Sequence, residues 1–269
     1  MSFYEKYVHL CGNLKDKPDR ATPYKIDYLK SIIKNGKVYK FIAFNGDNLL
    51  TEAKLKTLKA GKIWFSFYKA LNDDTEFEIR YNADKVSKAT GRSRDNVDLL
   101  VNFLTELYDV YSLSYEYQDY MWDIYAANGN GICIEFDVGD YEYLYPVEYT
   151  EKLNIDFNQM VISGINELNP ALSIVPWVIK NPFNISANID STKEKEVRIL
   201  YCPYDIGELN FGIIQENIKE KLGYQGIEKP YSDFKLKISK VIMGEKCNKN
   251  IADDLKRYFT KNNIPYMKR

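Results

Sequence analysis

Short strand-like runs alternate with helical patterns along this chain without settling into a strand–helix–strand repeat, and that irregular order most constrains the fold. "KVYKFIAF" (37–44) and "KIWFS" (62–66) are rich in β-branched and aromatic residues, as strands require. "GICIEF", "YPVEYT" (145–150), "KEKEVRILYC" (193–202) and "LKISKVIMG" (236–244) read the same way. Between them, Val97, Leu100, Val101, Leu104 and Leu107 recur at three- and four-residue steps and predict a helix over 92–111, with Ser93 or Asp95 as N-cap. Further helices are predicted over 49–60, 152–168 and 251–263. The expectation is an α+β fold: one domain over 1–269, with a central, mostly antiparallel sheet flanked by helices. Residues 1–36 read as a loosely helical lead-in broken by Pro18 and Pro23, and 37–269 as the core.

Composition narrows the chemistry. A formal net charge of −1 gives no overall positive field for nucleic acid or an anionic membrane. No apolar run approaches the length of a membrane span, and "MSFYEKYVHLCGNLKDKPDR" has no apolar core of signal-peptide type, so a cytoplasmic protein without membrane contact is expected. The single histidine, His9, leaves little room for triads or imidazole metal sites. Cys11, Cys133, Cys202 and Cys247 form no CxxC pair, and Cys133 and Cys202 sit in apolar runs as reduced core residues do. The chemistry is therefore expected to rest on carboxylates, Lys, Arg, Ser or Tyr.

Two acidic features stand out. "LNDDTEFE" (71–78) follows a Trp-Phe strand directly; Asn72 and Asp73 bond their own backbone readily, which leaves Glu76 to pair with Arg198 or Lys40 as a clamp beside a cleft, or to act in catalysis itself. Glu194 and Glu196 lie two apart on the predicted strand and so share a face, where they repel unless a cation or ligand lies between them. Arg198, two further on, is the cation in sequence to balance them. Asp73, Glu76, Glu194 and Glu196 together also suggest Mg²⁺ and a nuclease, although Glu194-Lys195-Glu196 departs from the Asp…Glu-x-Lys pattern of such enzymes.

Four segments in order resemble the bacterial family known as domain of unknown function 2971. They are Tyr39-Lys40-Phe41; Ser66 followed by Leu71, Asn72, Asp73, Asp74 and Glu76; Trp122, Ile124 and Tyr125 followed by Gly131, Cys133, Ile134 and Phe136; and Glu194, Glu196 and Arg198. Asp74 stands where the family has Pro, and Ile124 where it has His. The arrangement looks like that of ADP-ribosyltransferases, which implies NAD as the substrate that supplies ADP-ribose, a macromolecular acceptor (protein or nucleic acid), and a toxin or phage-defence setting.

On that resemblance Glu196 faces the oxocarbenium-like charge that develops when the nicotinamide–ribose bond breaks, and Glu194 steers or deprotonates the acceptor. Lys40 holds a pyrophosphate oxygen, Ser66 and Tyr125 line the middle of the cleft, and Trp122 or Tyr125 stacks on a ring. The rival reading is a non-enzymatic binding module, for which the 23 tyrosines suit an interface or base stacking as well as a core.

Overall fold

The structure is a computed structural model that describes residues 1–12, 18–44, 48–67, 71, 79–105, 107–150, 155–184, 189–203 and 225–269. Its helices are α1 (Phe3–Leu10), α2 (Ala21–Ile32), α3 (Asn48–Lys59), α4 (Ala83–Thr90), α5 (Arg94–Thr105), α6 (Tyr120–Tyr125), α7 (Phe157–Glu167), α8 (Ala171–Ile174) and α9 (Lys249–Lys261). The strands of the N-terminal half are β1 (Lys37–Ala43), β2 (Lys62–Ser66), β3 (Asp109–Ser114), β4 (Gly131–Val138), β5 (Leu144–Pro146) and β6 (Glu148–Tyr149). They are followed by β7 (Ile179–Lys180), β8 (Phe183–Asn184), β9 (Ile189–Asp190), β10 (Glu196–Tyr201), β11 (Gly226–Pro230), β12 (Leu236–Met243) and β13 (Tyr266–Lys268).

The fold is α+β. One large sheet runs β11-β2-β3-β1-β4-β12-β13, with β10 added beside β3 and β5 beside β10. Its pairings are antiparallel except β12–β13. The sheet divides at β3. One edge carries β10 over its whole length, from Glu196↔Ser114 to Tyr201↔Asp109. The other edge meets β1 only at Tyr39↔Ser114 and β2 only at Ser66↔Val110, so β1 and β2 part from β3 on either side of Ser112.

Alternation along the strands assigns the two faces. Tyr111, Leu113, Val197, Ile199, Ile63 and Phe65 join the largest core with Leu255 and Phe259 of α9. Val110 and Leu200 face the other way, into a second core built by α1, α4, α5, α7 and α8. A third cluster on β1, β4 and β12 is capped by α6, with Phe41, Cys133, Ile242, Met121 and Trp122.

Several expectations are corrected by this packing. The N-terminal segment is no loose lead-in: Ser2 and Glu5 form a reciprocal cap on α1, and Phe3, Tyr4 and Tyr7 are buried in the second core. Pro23 sits inside the first turn of α2, where its missing N–H costs nothing, and does not break the helix. The predicted helix over 92–111 stops at Thr105, and Asp109 already opens β3 because Val110 to Leu113 pair with β10. Ser93 rather than Asp95 caps that helix, its hydroxyl accepting from Asn96 N–H. Cys133 is fully buried as expected, whereas Cys202 is only partly so. His9 lies on the exposed side of α1.

Gly131 of β4 shows a steric demand of the sheet. A Cβ there would lie 2.2 Å from the Ile42 carbonyl oxygen, and that oxygen belongs to a paired strand and cannot move aside. Gly131→Ala is expected to lower stability by about 3 kcal/mol, the upper part of the overpacking range. A denaturant midpoint shifted down at unchanged slope checks it, and an unshifted midpoint contradicts it.

Candidate functional site

Where β1 and β2 leave β3, the sheet opens into a cavity of about 380 Å³. Tyr39, Lys40 and Phe41 come from β1, Trp64 and Ser66 from β2, and Val110 to Ser114 from β3. Ile124 and Tyr125 come from α6, Lys180 from β7, Glu194 from the turn before β10, and Glu196 and Arg198 from the start of β10. Of the residues proposed from sequence, Lys40, Ser66, Tyr125, Glu194, Glu196 and Arg198 all line it. Glu76, with Asn72, Asp73, Asp74 and Glu78, lies outside the described residues.

Trp122 is the exception. It is fully buried behind the cavity, edge-on to Phe41, with Nε1–H donating to Tyr117 Oη at 3.0 Å and the Arg269 guanidinium over its ring. It is a core residue and cannot stack on a ligand.

Glu194 is not on the strand. It ends a 3-10 turn, Ser191–Glu194, and Lys195 after it takes a left-handed backbone (φ +50°) before β10 begins at Glu196. The turn is pinned by Asp190, whose carboxylate accepts from Thr192 N–H, and by Ser114 Oγ, which donates to the Glu194 carbonyl at 2.8 Å. The carboxylates meet in the cavity through the turn rather than through strand alternation.

Arg198 does lie two along from Glu196, and it is buried. Its Nε and Nη2 donate to the two Glu196 oxygens at 2.7 and 3.2 Å, while Nη1 donates to the Trp177 carbonyl at 2.9 Å. The cation between the two carboxylates is Lys180, with Nζ 2.8 Å from Glu194 Oε2 and 3.5 Å from Glu196 Oε2. Tyr125 Oη donates to Glu194 Oε1 at 2.6 Å, and Glu196 N–H donates to Tyr149 Oη at 3.1 Å. Glu194, Lys180, Glu196 and Arg198 are all buried, so each depends on its neighbours for the solvation it has lost.

Their electrostatics differ. Burial alone would raise Glu196, but Arg198 and Lys180 outweigh it and hold this carboxyl well below the usual range. Glu194 is raised, by burial first and then by the Glu196 charge, against the opposing pull of Lys180 and Tyr125. One carboxylate is locked in its ionised form and its neighbour is the better proton acceptor.

Lys40 starts from the other side. It alternates with Tyr39 and Phe41 and shares the parity of Val38 and Ile42, which face the largest core. Its ammonium nonetheless reaches the Ser112 carbonyl at 2.9 Å, in the gap between β1 and β2, and lies 4.7 Å from the Tyr111 ring centre. Burial pulls its pKa down to about 8; Lys54 adds to the fall and Glu196 opposes it.

Lys180 escaped the sequence reading. Its signal was a single charge in the apolar stretch "ALSIVPWVIK" (171–180), where a lysine needs a buried partner. Among the described residues no group of three or more His, Cys, Asp or Glu is placed to hold a metal ion. The carboxylate oxygens of Glu194 and Glu196 face Lys180, Tyr125 and Arg198, and Asp73 and Glu76, the other two acids of the Mg²⁺ expectation, lie outside the described residues. No described helix is long and apolar enough to cross a membrane. Comparisons with protein-family models, curated proteins and solved structures gave no match.

Two measurements test the electrostatics. Arg198→Met leaves Glu196 buried without its bidentate partner and is expected to cost about 3–5 kcal/mol, most of it recovered when Glu196→Leu is added; a single-variant loss under about 1 kcal/mol contradicts a buried pair. Lys40 is charged in both folded and unfolded chains below pH 8, so its desolvation weakens the fold there. Between pH 8 and its ordinary value of 10.5 the folded state gives up the proton first, and the penalty fades. The stability of wild type relative to Lys40→Met is therefore expected to rise with pH across that window and to be level below and above it. A constant difference across pH refutes the assignment.

Proposed function

We propose that the cleft binds NAD and breaks its nicotinamide–ribose bond, passing ADP-ribose to a macromolecular acceptor or to water. The observation that carries the reading is the convergence of Lys40, Ser66, Tyr125 and the Glu194–Glu196 pair, which come from four separate segments, on one cavity. In this reading nicotinamide leaves with the bonding electrons, and the ionised Glu196 opposes the positive charge developing on the ribose. The acceptor oxygen attacks the anomeric carbon, and its proton passes to Glu194, whose raised pKa suits a base. Lys40 offers an ammonium to a pyrophosphate oxygen. The resemblance to bacterial effectors in toxin or phage-defence systems is the basis for the biological setting.

A second reading, a non-enzymatic binding module, is favoured by one specific feature. Each carboxylate oxygen of Glu194 and Glu196 already has a cationic or hydroxyl partner, which reduces the charge left for a cationic transition state. Ile124, at the cavity wall where the resembled family carries His, points the same way.

Incubation with labelled NAD and cell lysate separates the two. Wild type is expected to release nicotinamide, and Glu196→Gln to do so at least about 100-fold more slowly, a loss of about 2.7 kcal/mol of transition-state stabilisation. Glu194→Gln is expected to change the pH profile of transfer as well as its rate. Absence of both NAD binding and nicotinamide release from the wild type sinks the enzymatic reading.

A further inference from the structure

We propose that Trp64 is the platform on which the adenine ring stacks, an assignment that rests on the cleft being a nucleotide site. Trp64 lines the cavity yet is 43% exposed, the sole tryptophan in that position; Trp122 and Trp177 are fully buried. It shares a face of β2 with Ser66, the side on which the cavity lies.

The indole is held in place by the next strand. Gly226 of β11 pairs with Ser66, and a Cβ added to it would lie 2.8 Å from Trp64 Cε2 and Cζ2. Its φ of +151° also disfavours any other residue. With no side chain at Gly226, the β11 backbone comes close against the indole.

The order of groups across the cleft assigns the ring that uses it. Glu196 lies on β10, with Glu194 just before it; the Lys40 ammonium sits at Ser112 of β3; Trp64 lies on β2, beyond the other edge of β3. Paired strands are about 4.8 Å apart and β2 parts from β3 beyond Ser66↔Val110, so Trp64 lies at least roughly 10 Å from β10. Carboxylates, ammonium and indole follow one another as the glycosidic bond, the pyrophosphate and the adenine do in NAD. Adenine then lies on Trp64, and the nicotinamide end lies at Glu194 and Tyr125. Stacking on an aromatic face gives affinity without base-specific hydrogen bonds.

The test uses the purified chain with AMP, nicotinamide mononucleotide and ribose 5-phosphate as separate ligands, read by tryptophan emission and by calorimetry. AMP is expected to quench emission saturably and ribose 5-phosphate to leave it unchanged. Trp64→Leu should remove the quench and weaken AMP about tenfold, the scale of one base–aromatic stack, while leaving nicotinamide mononucleotide unaffected. Trp64→Phe should keep most of the AMP affinity, which a merely structural role would not explain. The proposal is overturned if AMP binds Trp64→Leu as tightly as wild type, or if both mononucleotides weaken equally. Trp64-dependent AMP binding without NAD cleavage keeps the platform and removes the enzyme. NAD cleavage with AMP affinity indifferent to Trp64 does the reverse.

Discussion

The chain of buried charges from Glu194 through Lys180 and Glu196 to Arg198 is the constraint on which the cleft depends. None of its members is stable alone in that position. Removing a carboxylate or an ammonium from water costs several kcal/mol per ion, and only opposed charges at hydrogen-bond distance offset it. The chain therefore ties together three pieces of backbone that are not neighbours in a ladder: β7, the 3-10 turn before β10, and β10 itself. Arg198 extends the link to the Trp177 carbonyl, and so to the second core. The floor of the cavity is set by charge satisfaction, and the apolar packing around it supplies the low dielectric that makes the satisfaction necessary.

The opening above that floor has a different cause. β3 has two edges, and β10 fills one of them. β1 and β2 share the other, each with a single residue pair, at opposite ends of the strand. They diverge because each is drawn into other contacts: β1 is paired along its whole length with β4, and β2 along its whole length with β11. A backbone carbonyl exposed in such a gap needs a donor, and the Lys40 ammonium supplies it to Ser112. The split in the sheet thus explains both why a cavity forms here and why a lysine of core-facing parity contributes to it.

This geometry divides the labour among like residues. Glu194 and Glu196 are the same side chain two positions apart, yet one is pushed up and the other held down, because Arg198 reaches only one of them. Tyr125 and Tyr149 each attach to one member of the pair, from α6 and from β6. Trp64 and Trp122 are equally contrasting. The first is left partly bare at the cavity by Gly226, and the second is sealed beneath Phe41 and Arg269.

The sequence by itself determined the strand runs at β1, β2, β4, β10 and β12, because β-branched and aromatic residues recur in short blocks there, and the α+β class, because those blocks alternate irregularly with helical periods. It also marked Glu194, Glu196 and Arg198, as charges two apart on a predicted strand, while Lys40, Ser66 and Tyr125 were marked by the resemblance in motif order. Tertiary structure alone decided which partners these residues met. Lys180 is brought between the carboxylates from a segment with no local acid, and Glu194 enters the cleft through a left-handed turn at Lys195 that strand alternation does not anticipate. The burial of α1 and of Trp122 depends on which faces of the sheet remain uncovered, a property of the assembled layers and not of any local run. Local pattern fixes what a segment buries, but the object it is buried against is chosen by the whole chain.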